Sequence, residues 1–573
     1  MLINTQEKFN SVIPKLLSCV DPCVDTETNG LNSFGTTSTQ GHRIIGISID
    51  DGTEAYYFPF RHQIGVNLPM ECLEFFRTYL SDPNRVFGGF NYKFDQLMLY
   101  ADGIPFAPNI EDAMLALHLV NENEENFKLK DTCDRYGIGK GSLEESILLE
   151  KCGHKKDRMG ELDPTDVEPY ACDDVRLTRM LLDLLKPALV HQNLYYIWKQ
   201  VNYYSYITTQ MERRGLCLDV DLIKTYQAEA KEHQEAALSK LYDMAGYKIN
   251  PNSSKQVCAF LGVKSSARDI LDTIIDAGGE AAEKAQAVIE ARGWLSVDTR
   301  YYTPYMKMMD INNTLHCSLN LIGTISGRLS CSNPNLQAVA RPTNVFKVKD
   351  VFIARAGYTL VSADYSQAEM RLACYYAHED TMAELIRNGE DIHSTTAEAL
   401  DIPRSAAKRI NFGVIYGIGA EALHKQLRID KKTAQQYLNK YHGMYPQFRV
   451  LLGQTERYAD QYGVIELWTG RRRHFNVQHA YTHKAMSNLI QGGVAEIMRT
   501  AISRLYPAIS NLHGYMLLQI HDQIICEIPD DKLDIALPTI KAVMEDFNFD
   551  PRMTVDISYG KRWGDMQNWS DEI

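Results

Sequence analysis

Short apolar runs that lead into acidic residues recur along this chain of 573 residues. One of them, residues 358–361, predicts a strand, and an acidic turn containing Asp364 follows it. From Met370 onward the apolar positions follow helical spacing. A carboxylate between a strand and a helix is well placed to bind a hard cation, but acidic residues at that point also cap helices. Both interpretations of Asp364 are open on this segment alone.

A second segment predicts a helix that begins at Pro403, because proline favours the first helical turn. Arg404, Lys408, Phe412 and Tyr416 follow at steps of four, which places them on one slowly drifting face. Two cations followed by two rings are unusual for a solvated face and for a core face. The pattern suits a nucleotide, with its triphosphate at the cations and its sugar and base at the rings.

A third segment, residues 515–528, has two apolar runs that flank the polar residues His521, Asp522 and Gln523. This pattern predicts a β-hairpin with its turn at the carboxylate. Turns also favour aspartate for structural reasons, so the segment alone assigns no function to Asp522.

In order and in separation, the three segments resemble motifs A, B and C of the family A (polymerase I-like) DNA polymerases. The resemblance implies a right-hand polymerase that adds dNTPs to a primer 3′ end on a DNA template. It assigns Asp364 and Asp522 to two Mg²⁺ ions, for which Mn²⁺ can substitute. Two alternatives are a single-subunit RNA polymerase-like enzyme and an exonuclease or DNA-binding accessory protein with a degenerate polymerase half.

The N-terminal third carries a separate acidic pattern. Asp25 and Glu27 are two residues apart, so a strand places both on one face, where a cation would offset their repulsion. Residues 43–50 alternate as the next strand of an antiparallel pair, and residues 86–95 predict a strand followed by a helix start. Asp95 taken alone fits a helix cap better than a ligand. Tyr170 lies one helical turn before Asp174.

This ordered set resembles the DnaQ-like 3′→5′ exonuclease domain over about residues 1–190. The resemblance assigns two metal ions to Asp25, Glu27, Asp95 and Asp174, and it gives Tyr170 the role of orienting the attacking water. Four carboxylates balance the charge of two divalent ions, which together clamp the attacking and leaving oxygens of a phosphodiester. For the lysines at positions 128 and 130, contact with the DNA strand and a solvated helix face are both open.

The resemblance also implies a fold class and a set of domain boundaries. The expected fold is α/β (α+β), with an RNase H-like exonuclease domain at 1–190 and a polymerase domain at 191–573. Within the polymerase, we expect the thumb at about 195–320, the palm at about 321–380 and 475–573, and the fingers at about 381–474. No second nuclease pattern precedes the exonuclease, so we expect a compact, phage-type relative without a 5′ nuclease domain.

By the same resemblance, Lys408 protonates the leaving pyrophosphate and Glu369 blocks the space of a ribose 2′-hydroxyl. An ion pair with Arg371 or Arg404 is the structural alternative for Glu369, and a surface ion pair is the alternative for Arg328. The implied nucleotide-binding residues are Arg404, Lys408, Phe412, Tyr416, Glu369, His393 and Tyr365. The implied DNA-binding residues are Arg328 at the primer terminus, Asn335, Gln337, Gln491 and His521.

Some positions depart from the family pattern or are less specific. Gln523 stands where relatives usually carry Glu, and Ser487, not Asn488, aligns where many carry Asn, so the roles of these residues are open. The three arginines at 471–473 resemble a loop that contacts the DNA backbone.

Composition limits the expected partners and cellular location of the protein. The net charge of −13 argues against a polyanionic partner only superficially, because binding depends on where the cations lie. The twelve cysteines are scattered without paired motifs, and the N-terminus lacks a signal-peptide pattern. We therefore expect a cytoplasmic monomer, in a bacterial cell or a phage-infected host, with no membrane contact. Its expected partners are primer-template DNA, dNTPs and a replisome helicase, single-strand binding protein or processivity factor.

Overall fold

A computed structural model describes residues 1–139, 141–343, 345–475 and 481–570 of the chain. Five strands and seven α-helices form the described N-terminal region. None of the described helices combines the length with the apolar composition that crossing a bilayer requires. The N-terminal elements are α1 Gln6–Ser18, β1 Cys23–Thr28, β2 Ile44–Asp50, β3 Ala55–Pro59, α2 Leu73–Leu80, β4 Phe87–Gly89, α3 Tyr92–Ala101, β5 Ile110–Asp112, α4 Ala113–Val120, α5 Leu129–Tyr136, α6 Leu143–Lys151 and α7 Pro164–His191.

The N-terminal sheet has the strand order β3-β2-β1-β4-β5. Strands β1 and β2 are antiparallel, with Asp25 opposite Ser48 and Glu27 opposite Gly46, so the predicted antiparallel pair is confirmed. Strands β4 and β5 run parallel to β1 and to each other. All seven residues of β2 are buried, and α7 packs across strands β1 to β4. The central position of β1 therefore places its acidic residues beneath a long helix.

The remainder of the chain supplies fifteen helices and twelve strands in its described part. They are α8 Tyr195–Arg214, β6 Leu216–Leu218, α9 Val220–Ala245, α10 Ser254–Leu261, α11 Arg268–Ala277, α12 Glu280–Val297, α13 Thr303–Met308, β7 Thr314–Leu315, β8 Ser318–Asn320, β9 Ser330–Ser332, β10 Phe352–Ile353, β11 Tyr358–Tyr365, α14 Ala368–Ala377, α15 Asp380–Arg387, α16 Ile392–Leu400, α17 Arg404–Ile415, α18 Ala420–Leu427, α19 Lys431–Met444, α20 Pro446–Tyr462, β12 Val464–Glu466, β13 Arg472–His474, α21 Ala485–Asn511, β14 Tyr515–Ile520, β15 Gln523–Pro529, α22 Leu533–Glu545, β16 Val555–Arg562 and β17 Asp565–Trp569.

The second large sheet is built around strand β11, which pairs with β15 on one side and β16 on the other. Strands β14 and β15 form the predicted hairpin, and residues 521 and 522 make its turn. Strand β11 extends through Asp364, which the sequence had placed in a turn. The strand is longer because both neighbours continue to pair with it at that position. The helix-cap interpretation of Asp364 is wrong, since Gln367 occupies the cap position of α14.

Two short strands within residues 195–320, the range predicted for the thumb, belong to this same sheet. Strand β6 pairs with β10 and β7 pairs with β6. Helix α8 packs on β14 and α21, beside the sheet. A separate apolar core joins α9 to α12 between Ala237 and Ala291. Strands of two and three residues carry too little periodicity to be recognised within a helical region.

A prediction follows from Glu527, a fully buried carboxylate of β15. It accepts hydrogen bonds from Arg214 Nη2 at 2.5 Å and from Arg355 Nη1 at 3.2 Å. We expect E527A to lower the free energy of unfolding by about 3 kcal/mol, the lower end for breaking a buried ion pair, because both guanidinium groups keep some contact with water. Denaturant unfolding followed by fluorescence measures this change.

The matched control is E466A, which removes an exposed carboxylate lying 3.8 Å from Arg472. Exposed pairs contribute about 0–1 kcal/mol. Equal effects of the two variants would contradict a structural role for Glu527.

Candidate functional site

Three carboxylates of the N-terminal domain converge above β1. Asp25 and Glu27 project from one face of the strand, and Asp174 reaches them from α7. Each offers one oxygen, and these three oxygens lie within 4.8 Å of one another. They line a cavity of about 770 Å³ together with Asp95 and Tyr170. The structure therefore brings together the four acids that the resemblance assigned to metal ions and Tyr170.

Asp95 lies in the first turn of α3 and not at its cap, which is Asn91. Its Oδ1 accepts hydrogen bonds from the Thr26 amide at 2.9 Å and the Thr26 hydroxyl at 2.6 Å. The interpretation of Asp95 as a helix cap is therefore wrong. Its carboxylate connects α3 to the strand that carries Asp25 and Glu27.

Burial raises the pKa of all four acids in this cluster, and repulsion from the other acids adds to it at Asp25 and Glu27. Burial, with Asp174 adding to it, raises the pKa of Glu27 to about 8. Burial raises that of Asp95 to about 7, even though the Thr26 donors lower it. Burial and then Asp95 hold the pKa of Asp25 well above its ordinary value. Glu27 Oε1 is also buried without a hydrogen-bond partner in the described chain. Oxygen donors with unmet charge fit a divalent cation.

Lys130 is buried and ion-paired with the side chains of Asp173, at 3.1 Å, and Asp174. Both sequence interpretations of this lysine are wrong, because it is an internal counter-ion that neither faces solvent nor is exposed to a DNA strand. Lys128 is exposed, lies 3.6 Å from Asp131 and is among the residues that line the acidic cavity, so both interpretations of this lysine remain predictions. Nothing in the local pattern distinguishes the two lysines, since the contact spans more than forty residues.

Tyr170 lies between two ammonium groups. Its hydroxyl accepts a hydrogen bond from Lys156 Nζ at 3.0 Å, and Lys130 Nζ is 5.1 Å from the ring centre. Burial raises the pKa of Tyr170 well above its ordinary value, so the hydroxyl keeps its proton. It is therefore a hydrogen-bond donor inside the acidic cavity.

A second group of carboxylates, Asp364 and Asp522, lies where strand β11 meets the β14–β15 hairpin. Asp364 is opposite Gln523 in the register, and the Tyr365 amide donates to the Asp522 carbonyl at 3.2 Å. Burial, Asp522 and Asp556 raise the pKa of Asp364 to about 6. Asp364 Oδ1 is buried without a hydrogen-bond partner among the described residues. This donor set also fits a divalent cation.

Asp556 is a neighbour of this site that the sequence did not reveal. It lies on β16 directly opposite Asp364, on the side away from Gln523. The alternating pattern of residues 555–558 could have indicated the strand, but no local pattern identifies β11 as its partner.

Glu369 forms the polar centre of the second site. Its Oε1 is ion-paired with Arg328, and its Oε2 accepts a hydrogen bond from the Tyr416 hydroxyl. The expected alternatives for Glu369 are wrong. Arg371 donates to the carbonyls of Ser366 and Arg552, and Arg404 is paired with Asp391. The ion pair expected as an alternative for Arg328 exists, but its partner is a predicted site residue.

Helix α17 presents the predicted face of cations and rings. Lys408, Phe412 and Tyr416 line one cavity of about 630 Å³, with Tyr416 at the C-terminal cap of the helix. Arg404 Nε donates to Asp391 at 2.6 Å. Lys408 has no ion-pair partner in the part of the chain that the structure describes. Its ammonium group is therefore available to a ligand.

Several other predicted contact residues point elsewhere or are already bonded. Tyr365 is buried and its hydroxyl donates to the Met544 carbonyl at 2.5 Å, so the structure does not bring this side chain into the site. His393 is buried, with Nδ1 2.8 Å from Asn411 Nδ2. The amide of Gln337 donates to the Gln519 carbonyl at 3.0 Å. Asn335 caps a short 3₁₀ turn, while His521 is exposed beside Asp522 in the hairpin turn.

The departures from the expected pattern have local explanations. Gln523 Nε2 donates to the Ser362 hydroxyl at 2.7 Å on strand β11. Gln491 Nε2 lies 3.4 Å from Ser487 Oγ, so these two share one face of α21. Asn488 is buried and donates to the Lys484 carbonyl of its own helix.

The three arginines at 471–473 do not form a free DNA-contacting loop. Arg471 is buried against Glu496, and Arg473 is paired with Glu122 of the N-terminal domain. Only Arg472 is left with a weak partner, an exposed carboxylate 3.8 Å away. The sequence interpretation of this segment is therefore wrong for two of its three residues.

Comparisons with known proteins agree with the two-site arrangement. Residues 220–565 match the profile of DNA polymerase family A, and residues 1–190 match that of a 3′-5′ exonuclease. DNA polymerase I of Borreliella burgdorferi is 25% identical over 600 residues, covering 98% of this chain and 64% of that protein. Thermostable DNA polymerase I of Thermus filiformis is 29% identical over 424 residues, covering 69% of this chain and 51% of that protein. The chain thus spans about half to two thirds of the length of these curated relatives.

A solved structure, the POL domain of Pol1 from M. smegmatis in complex with DNA primer-template and dNTP, has a TM-score of 0.82 to this chain. The identity is 21%, and the match covers 98% of this chain and 99% of that one. The predicted fold class, an exonuclease domain followed by a right-hand polymerase, is confirmed. Domains of both families generally use divalent metal ions, and the cluster at Asp25, Glu27 and Asp174 offers this chain a site for one.

A stability prediction follows from the raised pKa of Glu27. Its folded pKa of about 8, against an ordinary 4.5, means that the folded protein binds this proton more tightly than the unfolded chain. The contribution of this group to stability is complete below its ordinary pKa and is lost as the pH rises through about 8. In a chelator at high pH, we therefore expect E27Q to melt at a higher temperature than the wild type, as measured by thermal unfolding.

We also expect Mg²⁺ to raise the melting temperature of the wild type more than that of E27Q. The ion stabilises the folded protein by binding the cluster, and E27Q removes one of the carboxylates of that cluster. The exposed residue Glu150 provides the control variant E150Q in the same domain. An E27Q protein that is less stable than E150Q in chelator would contradict the repulsion described for this cluster.

Proposed function

The chain belongs to DNA polymerase family A, and from this membership we propose that it extends a primer 3′ end with dNTPs on a DNA template and trims that end with a 3′→5′ exonuclease. The observation that carries the proposal is the presence of two separate carboxylate clusters in two domains. One is Asp25, Glu27 and Asp174, and the other is Asp364 with Asp522. We assign the exonuclease to 1–190 and the polymerase to 191–573, acting as a cytoplasmic monomer.

Each cluster would hold two Mg²⁺ ions, with Mn²⁺ as a substitute. Asp364 and Asp522 are the ligands proposed for the polymerase, and Asp25, Glu27, Asp95 and Asp174 those for the exonuclease. When bound, such ions lower the pKa of the attacking oxygen and neutralise charge on the phosphate. The raised pKa of Asp364 and the unbonded Oδ1 support this assignment.

On the polymerase side, Arg404 and Lys408 bind the triphosphate through the exposed start of α17. Lys408 then gives a proton to the leaving pyrophosphate, a role that its free ammonium group supports. Phe412 packs against the sugar and Tyr416 lies at the templating position. His393 acts indirectly, because its buried ring lies 5.7 Å from that of Phe412 and holds it in place. Tyr365 takes part only through its backbone beside Asp364.

On the exonuclease side, Tyr170 orients the attacking water. Its protonated hydroxyl and its place in the acidic cavity support this role. Lys130 holds Asp174 in position as an internal counter-ion, and Lys156 fixes the Tyr170 hydroxyl at 3.0 Å.

Arg328, Gln491 and His521 are the residues proposed to contact the primer-template duplex, whose minor-groove acceptors are shared by all base pairs. Asn335 and Gln337 support this surface through the bonds that they make to the backbone. A helicase, single-strand binding protein or processivity factor is proposed as a further partner.

Two variants are expected to separate the activities. D364A should abolish primer extension and spare digestion of single-stranded DNA, because it removes the donor at the centre of one cluster only. D25A should do the reverse. A primed-template assay with and without three correct dNTPs, run beside a single-strand digestion assay, measures both activities on one preparation.

D522A serves as the repeat of D364A at the second ligand, and E150Q is the control that leaves both clusters intact. Loss of both activities in any of these variants that still unfolds at the wild-type temperature would contradict the two-site proposal. A wild-type protein that incorporates rNTPs as well as dNTPs would favour an RNA polymerase-like enzyme.

Glu369 generates a separate prediction on sugar choice. Its carboxylate is held by Arg328 and Tyr416, and we propose that it fills the space of a 2′-hydroxyl. We expect E369A to increase incorporation of rNTPs relative to dNTPs by about 10-fold or more, as expected when about 1.4 kcal/mol of discrimination is removed. Single-nucleotide extension kinetics measure the ratio. An unchanged ratio in E369A, with extension retained, would exclude Glu369 as the residue that selects the sugar.

A further inference from the structure

The exonuclease domain contacts the polymerase through a buried carboxylate that neither active site uses. Glu122, in the loop after α4, has a side chain that is only 4% exposed. Its Oε1 accepts from Arg473 Nη1 at 2.6 Å and from the His474 amide at 2.5 Å. Its Oε2 lies 2.8 Å from His474 Nδ1, and Asn123 donates to the His474 carbonyl at 2.9 Å. Arg473 Nη1 also donates to Asn123 Oδ1 at 3.0 Å, so one loop of the exonuclease domain holds strand β13 through five polar contacts.

The β12–β13 hairpin is anchored on its other side by a buried ion cluster. Arg471 Nη1 donates to Glu496 Oε1 at 3.3 Å, and Arg499 is paired with the same carboxylate. The Thr469 hydroxyl donates to Glu496 Oε2 at 3.1 Å. Arg471, Glu496 and Arg499 are each at most 6% exposed, so these charges have little access to solvent. Removing one of these side chains would leave a buried charge without its partner, which is strongly destabilising, so the positions of the three side chains are closely constrained.

This cluster contacts the residue immediately before Arg328. Arg499 Nη2 donates to the Gly327 carbonyl at 3.1 Å. Gly327 has a φ of +76°, and a Cβ at that position would lie 3.0 Å from Arg471 Cζ. The guanidinium groups of Arg471 and Arg499 therefore fix the backbone from which Arg328 extends to Glu369. The loop has no room for a side chain at Gly327.

We propose that Glu122 is a positioning residue for the polymerase site, acting through the hairpin and the Arg471–Glu496–Arg499 cluster on Arg328. The inference rests on the proposed function, because it concerns how firmly Arg328 is held at the primer terminus. It gives the exonuclease domain a second role, which is independent of its own acidic cluster. The exonuclease domain is then part of the support of the polymerase site.

The test uses the full-length chain and primer extension under single-turnover conditions, in which the maximal rate of incorporation stands for kcat and the half-saturating dNTP concentration for KM. We expect E122A to lower kcat for extension by about 3- to 30-fold, the range for residues that act through a packed network. The KM for dNTP should not change, since Arg404 and Lys408 are not part of this network. Digestion of single-stranded DNA should also not change. E122Q keeps an acceptor for the His474 amide, so it should recover part of the lost rate.

A double-mutant cycle with R328A distinguishes positioning from a general loss of structure. If Glu122 acts through Arg328, E122A has no further effect on kcat in the R328A background. The matched control is E124A, two residues along the same loop, whose carboxylate pairs with Arg135 inside the exonuclease domain at 3.2 Å. E124A should extend primers at the wild-type rate.

Equal and additive losses in the two backgrounds would overturn the proposal, as would a wild-type rate in E122A or the same loss in E124A. E122Q takes the place of E122A in the cycle if E122A does not fold, as judged by thermal unfolding. A wild-type chain that does not extend primers at all would instead overturn the proposed function, so the two failures are distinguishable.

Discussion

Repulsion between carboxylates that the backbone forces together is the constraint around which both sites are built. In strand β1 the two-residue repeat leaves Asp25 and Glu27 on one face, and α7 closes over them. In the second sheet the pairing of β11 with two neighbours leaves Asp364 beside Asp522 and Asp556. The strand register fixes the Cβ positions of these acids, so within each group they stay close to one another. The packing of the remaining core must therefore offset the free energy of this repulsion, and a bound cation would reduce that free energy.

The two sites reduce this repulsion by different means. The exonuclease cluster has its own buried cation, Lys130, which compensates Asp174 from within the domain. In the polymerase cluster the nearby Arg328 is ion-paired with a different acid, Glu369. Burial raises the pKa of both Asp364 and Asp522, and it outweighs the charge of Lys349 at Asp364 and the charges of His521 and Arg328 at Asp522. Five described arginines of the polymerase half are paired with Glu369, Glu496 and Glu527, none of which is a proposed metal ligand. The net charge of the chain says little about either site.

Much of the site could be predicted from sequence because its signals are local. The hairpin at Asp522, the face of α17 and the step from Tyr170 to Asp174 depend on spacings of about two to four residues, at which strand and helix periods determine the outcome. Lys130, Asp556 and the partners of Glu369 were missed or misassigned, because each is defined by a contact across tens to hundreds of residues. Hairpin arginines such as Arg473 resemble DNA-binding residues in sequence, and only their tertiary partner reveals an internal role. The short strands β6 and β7 were missed for lack of length.

Glu369 joins two parts of the protein that lie on different elements. It belongs to α14 beside the sheet, while its partner Tyr416 ends α17 among the helices that follow. Any rotation of α17 away from the sheet must break this hydrogen bond, and a charge-assisted bond of this kind is worth about 1.5–3 kcal/mol. A ligand that draws α17 into a new position has to make contacts at least that favourable. A poorly fitting ligand, whose contacts contribute less free energy than this hydrogen bond, therefore leaves α17 in its original position.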